Sequence, residues 1–272
     1  MSIKPKPGHH FVLRTCEHNM HSSYGFFWPE SGPVECSDWD PKPKCGHGLH
    51  GLLHGEGDGS LLDWDLAAKW LIVEVENYTD LDGRVKFERG NVVYCGDHAR
   101  AVAILQEVYP DAAVVGGTAT AGYGGIATAG YQGKAAVGNY GTATVGDYGK
   151  VTVGDHSTAT AGYQGIATAG YQGKAEVGGC GTATVGNRGT AMAGDCGIAT
   201  AGYRGTVTAG GWGKATVGEY GVATAGDWGI IQIHYCDSDG RERIKTGYIG
   251  EDGLLPNVPY RLDDNHNFVR VG

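Results

Sequence analysis

From Thr118 to Gly229 small apolar residues occupy every second position of a four-residue run, and the run returns every eight residues. Fourteen octads begin at Thr118, Ile126, Lys134, Thr142, Lys150, Thr158, Ile166, Lys174, Thr182, Thr190, Ile198, Thr206, Lys214 and Val222. Their second and fourth residues are always Ala or Val, as in Ala143/Val145 and Val151/Val153, while the first and third are often Thr. Alternation with period two puts the two sets on opposite sides of a strand. The fifth residue is always Gly, and the eighth is Gly except at Ser157. Such glycines permit a sharp reversal, with positive φ where one is needed, so each octad predicts one short strand and one turn.

Strands this short cannot stand alone, so the octads must stack on one another as a β-solenoid. Ala and Val facing each other across two strands fill a thin core, which predicts two octads, or 16 residues, per coil. A triangular coil of three octads would leave a centre wider than Ala can fill. Seven flat coils at the spacing of neighbouring strands predict a rod of roughly 33 Å. The turns then fall on two edges. One carries Tyr123, Tyr140, His156, Tyr171, Arg188, Tyr203 and Tyr220; the other carries Tyr131, Tyr148, Tyr163, Cys180, Cys196, Trp212 and Trp228. Ring stacking along an edge stabilises a small core, and an aromatic edge can also dock a partner or a second copy. Cys180 and Cys196 should lie one coil apart, within disulfide reach under oxidising conditions. Lys134, Lys174 and Lys214 recur every 40 residues, which indicates a duplicated five-octad block. An odd number of octads exchanges the two faces of a flat coil, so both faces must pack alike.

The pattern is different on either side. Residues 1–117 predict a compact α+β domain with strands at 10–14, 69–76 and 91–95. A helix follows, capped by Asp97, with Val102, Leu105 and Val108 on one face and Pro110 beyond its end. Residues 230–272 hold three β-rich runs separated by the turn formers at 237–240 and 251–253, which predict a short β-hairpin cap. The fold class expected is mainly β, with a solenoid over 118–229 between these two segments.

Composition narrows the function classes. The 49 Gly are periodic, so they mark a repeat and not disorder. The net charge of −9 offers nothing to phosphates, which argues against a nucleic-acid partner. The chain has no apolar stretch long enough to cross a bilayer and no apolar leader, so neither a membrane nor export is expected. Seven Cys at irregular spacing suggest reduced thiols. Together these point to a cytoplasmic protein.

Two resemblances bear on function. The octads resemble those of bacterial ice-nucleation proteins, a likeness that implies water-ordering Thr-x-Thr rows and pairing through Tyr ladders. Here Thr-x-Thr survives at 118/120, 142/144, 158/160, 182/184 and 206/208, whereas Lys134, Lys150, Lys174, Glu176 and Met192 interrupt the rows. The whole chain, with "CGHGLHGLLHGEGDG", the octads and "PYRLDDNHNFVRV", also resembles an uncharacterised family of bacteriophage and prophage proteins. That second likeness implies a phage origin in a bacterial host cell.

Candidate chemistry sits in the front domain. Cys45, His47, His50 and His54 supply thiol and imidazole, the ligands that suit Zn²⁺, although their spacing matches no standard module and no other cofactor is expected. "FVLRT", "AAKWLIVEVE" and "VKFERGNVVYCGD" resemble small ADP-ribosyltransferases. This likeness implies a catalytic Arg14 at a strand end and Glu74 or Glu76 as the carboxylate, without a Ser-Thr-Ser run or a second-motif Tyr. The leading expectation is a non-catalytic interaction protein that binds a bacterial host protein, and inhibition of a host defence system is one such use. An ADP-ribosyltransferase-like enzyme and an ice-binding or self-assembling solenoid are the alternatives. The surfaces expected to bind are Tyr123, Tyr131, Tyr140, Tyr148, Tyr163, Tyr171, Tyr203, Trp212, Tyr220 and Trp228.

Overall fold

The structure, a computed structural model, describes residues 3–22 and 25–271. Two compact units form: one holds residues up to Gly117 together with Ala129–Tyr131, the other Thr118–Thr128 with Gln132–Gly272.

The first unit contains strands β1 (His10–Cys16), β2 (Gly32–Glu35), β3 (Leu49–Leu53), β4 (Lys69–Val75), β5 (Thr79–Asp80), β6 (Val85–Phe87) and β7 (Arg89–Gly96), then helix α1 (His98–Val108). They make one antiparallel sheet in the order β2-β7-β4-β1-β3-β6-β5. β1 and β4 pair in full register from His10↔Val75 to Cys16↔Lys69. The apolar runs expected to be strands are β1, β4 and β7. The remaining strands are short and carry Gly, Pro or His, which blurs their alternation. Side chains of successive residues point to opposite faces, so the sheet supports two cores. Phe11, Leu13, Trp70 and Ile72 pack with Ala101, Val102, Ile104 and Leu105 of α1. Val12, Leu71, Val73 and Phe87 pack with Trp28 on the other side. As the sequence indicated, Asp97 caps the helix, its Oδ1 accepting the Arg100 N–H at 2.9 Å.

In the second unit each octad contributes its first four residues as a strand, from β8 (Thr118–Ala121) to β21 (Val222–Ala225). Even-numbered strands build one parallel sheet and odd-numbered strands the other. Partners lie 16 residues apart, for example Ala143↔Ala159 and Ala183↔Ala199. The flat two-octad coil is therefore the observed one, with about seven turns. Ala143, Val151, Ala159, Ala183 and Ala199 are 0% exposed, the thin interior that the alternation implied. Lys134 and Lys214 stand on one sheet and Lys174 on the other, the face exchange that a five-octad duplication demands.

The C-terminal segment extends both sheets. β22 (Ile230–Cys236) continues the parallel ladder from Lys214↔Ile230, and β23 (Glu242–Tyr248) folds back on it in antiparallel pairing. β24 (Tyr260–Leu262) and β25 (Phe268–Arg270) form a second hairpin, joined to the other sheet at Ala223↔Tyr260. Antiparallel hairpins of this kind cover sheet edges that would otherwise template further strands.

The turns correct one expectation. Left-handed backbone falls on the seventh residue of every octad, and thirteen of these residues are not glycine, with φ between 51° at Gln172 and 61° at Tyr140. Only Gly124 has glycine there. The fifth and eighth glycines are needed for proximity instead. A Cβ on Gly218 would lie 2.7 Å from the backbone carbon of Gly202 and the nitrogen of Tyr203, one coil earlier. A Cβ on Gly181 would lie 2.8 Å from Val177 Cβ, in its own octad. Ser157 fills the eighth position with a hydroxyl that accepts the Gly141 N–H at 3.0 Å.

A left-handed non-glycine residue costs about 1 kcal/mol, and hydrogen bonds from coil to coil offset that cost. Seventh-position amides donate to the next coil, as in Tyr148 N to Tyr163 O at 2.8 Å and Trp212 N to Asp227 O at 2.8 Å. Sixth-position Asp and Asn side chains form a second ladder. Asp147 Oδ1 accepts the Tyr163 N–H at 2.7 Å, Asp155 Oδ1 that of Tyr171 at 2.7 Å, and Asp195 Oδ1 that of Gly211 at 2.8 Å.

Candidate functional site

The solenoid presents two flat outer faces made of first and third octad positions. On the even-numbered sheet the third position forms an unbroken Thr row through five coils, pairing Thr152↔Thr168, Thr168↔Thr184, Thr184↔Thr200 and Thr200↔Thr216. Because the pairing is parallel and in register, these side chains repeat at the strand spacing of ~4.8 Å. On the odd-numbered sheet Thr142/Thr144 stand beside Thr158/Thr160. The next coil replaces that pair with Lys174 and Glu176, whose charged ends lie 3.2 Å apart, and Met192 follows. Thr208↔Thr224 resumes the row.

Both edges carry the expected rings. Tyr123, Tyr140, His156 and Tyr171 run in sequence with centroids 5.3, 4.8 and 5.7 Å apart. The Arg188 guanidinium then donates to the Tyr171 hydroxyl at 3.3 Å, and Arg204 lies 5.2 Å and 5.9 Å from the rings of Tyr203 and Tyr220. Along the other edge Tyr148 and Tyr163 are 5.9 Å apart, and Trp212 stacks on Trp228 at 5.8 Å while both stay about 70% exposed. Between these pairs the Cys180 and Cys196 thiols meet. Burial pushes the Cys196 thiol up, and the neighbouring Cys180 adds to that. Tyr131 is placed differently, belonging to the first unit with its ring 5.6 Å from that of Trp64.

In the first unit the proposed zinc ligands do not converge, and among the described residues no three His, Cys, Asp or Glu side chains form a metal-holding group. Cys45 is exposed, His47 lies 3.4 Å from Asp38, and His54 Nε2 is 3.1 Å from His10 Nδ1. Cys45, His47 and His50 border one cavity without forming such a group, and His54 instead meets His10. Nor are the enzyme candidates brought together. Glu74 is buried and accepts the Lys6 N–H at 2.7 Å, and Glu76 is exposed beyond the end of β4. Neither lines the cavity to which Arg14 belongs.

That cavity has a volume of about 860 Å³ and is lined by Arg14, Trp28, His50, Arg84 and Leu62, among others. Arg14 Nη1 donates to the His50 carbonyl at 2.8 Å, and the guanidinium carbon sits 4.6 Å from the Trp28 ring centre. Burial draws the Arg14 guanidinium down to about 10, still charged at neutral pH. Burial also lowers the His50 imidazole, with the charges of Arg84 and Arg14 acting the same way. Cys16, on the same wall, is pushed up to about 11 by burial and then by Cys95, so it is a poor nucleophile. Arg14 was visible in the sequence as the last charged residue of an apolar strand. Trp28 gave no such signal.

Comparison with known proteins places the repeat. The chain is 39% identical over 95 residues to an ice nucleation protein of Xanthomonas campestris pv. translucens, covering 34% of this chain and 6% of the relative. It is 37% identical over 100 residues to one of Pseudomonas fluorescens, covering 35% and 8%. To one of Pseudomonas syringae it is 38% identical over 106 residues, covering 38% and 9%. The chain thus spans less than a tenth of the length of these curated relatives. No family model matches it, and no solved structure matches it. The octapeptide resemblance is supported by these relatives together with the β-solenoid. They also correct the cytoplasmic expectation, since ice nucleation proteins are bacterial outer-membrane surface proteins. Among the described residues no helix is long and apolar enough to cross a membrane.

Proposed function

We propose that the repeat unit is a structural β-solenoid that binds ice through its outer Thr faces. The observation that carries this reading is the in-register row from Thr152 to Thr216, a regular line of hydroxyl and methyl groups on a stiff parallel sheet. The likeness to ice nucleation proteins supports it over binding of a bacterial host protein. Lys134, Lys150, Lys174 and Glu176 break up the remaining rows, so the ordered patch is small and the activity assigned is adsorption to ice crystals. Wild-type protein should partition into slowly growing ice and show thermal hysteresis. Thr168→Tyr with Thr184→Tyr should remove most of both while leaving the circular dichroism spectrum unchanged. Folded wild-type protein that stays wholly in the liquid would overturn the reading. The same measurement on Thr144→Tyr with Thr160→Tyr assigns the face.

A second role, self-association through an edge, is favoured by the stacked Trp212/Trp228 pair, which leaves two large rings about 70% exposed. Contiguous exposed aromatic surface marks an interaction site, and the occupant assigned here is a second copy. Sedimentation velocity should show a dimer that becomes monomeric in Trp212→Ala with Trp228→Ala. A wild-type monomer at high concentration excludes this role.

A further inference from the structure

The first unit contains a second site, independent of the repeat and of its reading. Among the described residues four enclosed side-chain atoms have no hydrogen-bond partner in the protein, His98 Nε2 and three that cluster: Arg14 Nε, Trp28 Nε1 and His50 Nε2. Arg14, Trp28 and His50 line the same cavity. A guanidinium Nε and an indole nitrogen can only donate, and the His50 nitrogen donates or accepts according to its tautomer. An enclosed donor left without an acceptor costs about 1–3 kcal/mol, and more when it is charged, so native proteins rarely leave two at one spot without a ligand or an ordered water to satisfy them.

We propose that this cavity binds a small molecule through its phosphate or carboxylate group, with Arg14 as the principal anchor and Trp28 and His50 beside it. The charge on Arg14 calls for an anion, and among the described residues no carboxylate forms an ion pair with it. The His50 carbonyl and the Trp28 ring already hold the guanidinium in one orientation, so little freedom is lost on binding. Glu17, Asp38 and Asp63 share the wall. Asp38 is engaged by His47 at 3.4 Å and by the Gly48 N–H at 3.2 Å, and Asp63 accepts the Asp65 N–H at 2.9 Å. Recognition therefore comes from directed donors more than from net charge. The volume of about 860 Å³ lies within the range of small-molecule sites, and Phe26, Leu49 and Leu62 supply an apolar wall for the rest of the ligand. In the loop ahead of β3, His47 holds a left-handed φ of 54°, between Gly46 and Gly48, whose φ of 90° and 118° glycine adopts freely.

The test titrates the full chain with inorganic phosphate, pyrophosphate and citrate at constant ionic strength, read by calorimetry and by the indole N–H resonance of Trp28. Trp28→Phe assigns that resonance. At least one of the three anions should bind saturably with a Kd of about 1 mM or tighter and shift the indole signal. Phosphate or pyrophosphate saturation identifies a phosphoryl ligand, and citrate saturation a carboxylate one. Arg14→Lys keeps the charge but loses the Nε donor, and it should weaken binding at least tenfold. Arg84→Gln should change it less. Absence of saturable binding by all three anions to the folded wild type would overturn the proposal. So would unchanged affinity in a folded Arg14→Lys protein, or binding that leaves the Trp28 signal unmoved.

Discussion

Ala183→Asp is expected to abolish the cooperative folding of the central coils. Ala183 is 0% exposed and stacks in register between Ala167 and Ala199, inside a core only two small side chains thick. A carboxylate there finds no donor and no water. Burying an unpaired polar group costs about 4 kcal/mol even when it is neutralised by taking up a proton. Each coil contacts only its neighbours, so the loss should appear as rapid hydrogen exchange spreading from Ala183 in both directions. Thr184→Asp, one residue on and facing outwards, should change stability by no more than about 0.5 kcal/mol. Equal denaturation midpoints for the two variants would mean that position 183 is not the inward one that the alternation specifies.

Gly218→Ala should cost about 3 kcal/mol, whereas Gly211→Ala in the neighbouring turn should cost nothing or stabilise slightly. A Cβ at 218 meets the backbone of the previous coil at 2.7 Å, and a backbone cannot step aside as a side chain can. At 211 the nearest atoms, Asp195 Oδ1 and Asp227 O, are 3.5 Å away, and φ is not left-handed. Chemical denaturation of the two variants separates glycine required for closeness from glycine that is merely tolerated. Similar losses at both sites would show that conformational freedom is what these glycines provide.

The Gly pair exemplifies what could and could not be read in advance. Alternation of Ala and Val specified which side chains turn inwards, and the smallness of those residues specified a flat coil of two octads. From the coil followed the membership of each edge, because a period of 16 assigns every turn to one side. Turn conformation was hidden, since glycine pointed to itself as the left-handed residue and the coil imposes that twist on Tyr, Gln, Cys, Arg and Trp at the seventh position. Tyr131 escaped because a repeat predicts equivalent environments, and its ring is claimed by Trp64. The front unit was less legible for a different reason. His50 and Arg14 meet through a bond between strands that are 36 residues apart in the chain, and Trp28 joins them from an irregular segment. Local pattern holds no record of such contacts. The Cys45–His54 spacing was equally silent on geometry, since Cys45, His47 and His50 border one cavity while His54 meets His10.

The left-handed seventh residues have one further consequence. Since rings, amides, thiols and guanidinia all take up the same twist there, side-chain identity along an edge is decoupled from the architecture that displays it. The coil works as a ruler graduated every ~4.8 Å, on which a column of chosen groups can be written mark by mark without redrawing the scale. Charge, colour or metal affinity could be set out in single file on either side of this rod by rewriting those letters alone.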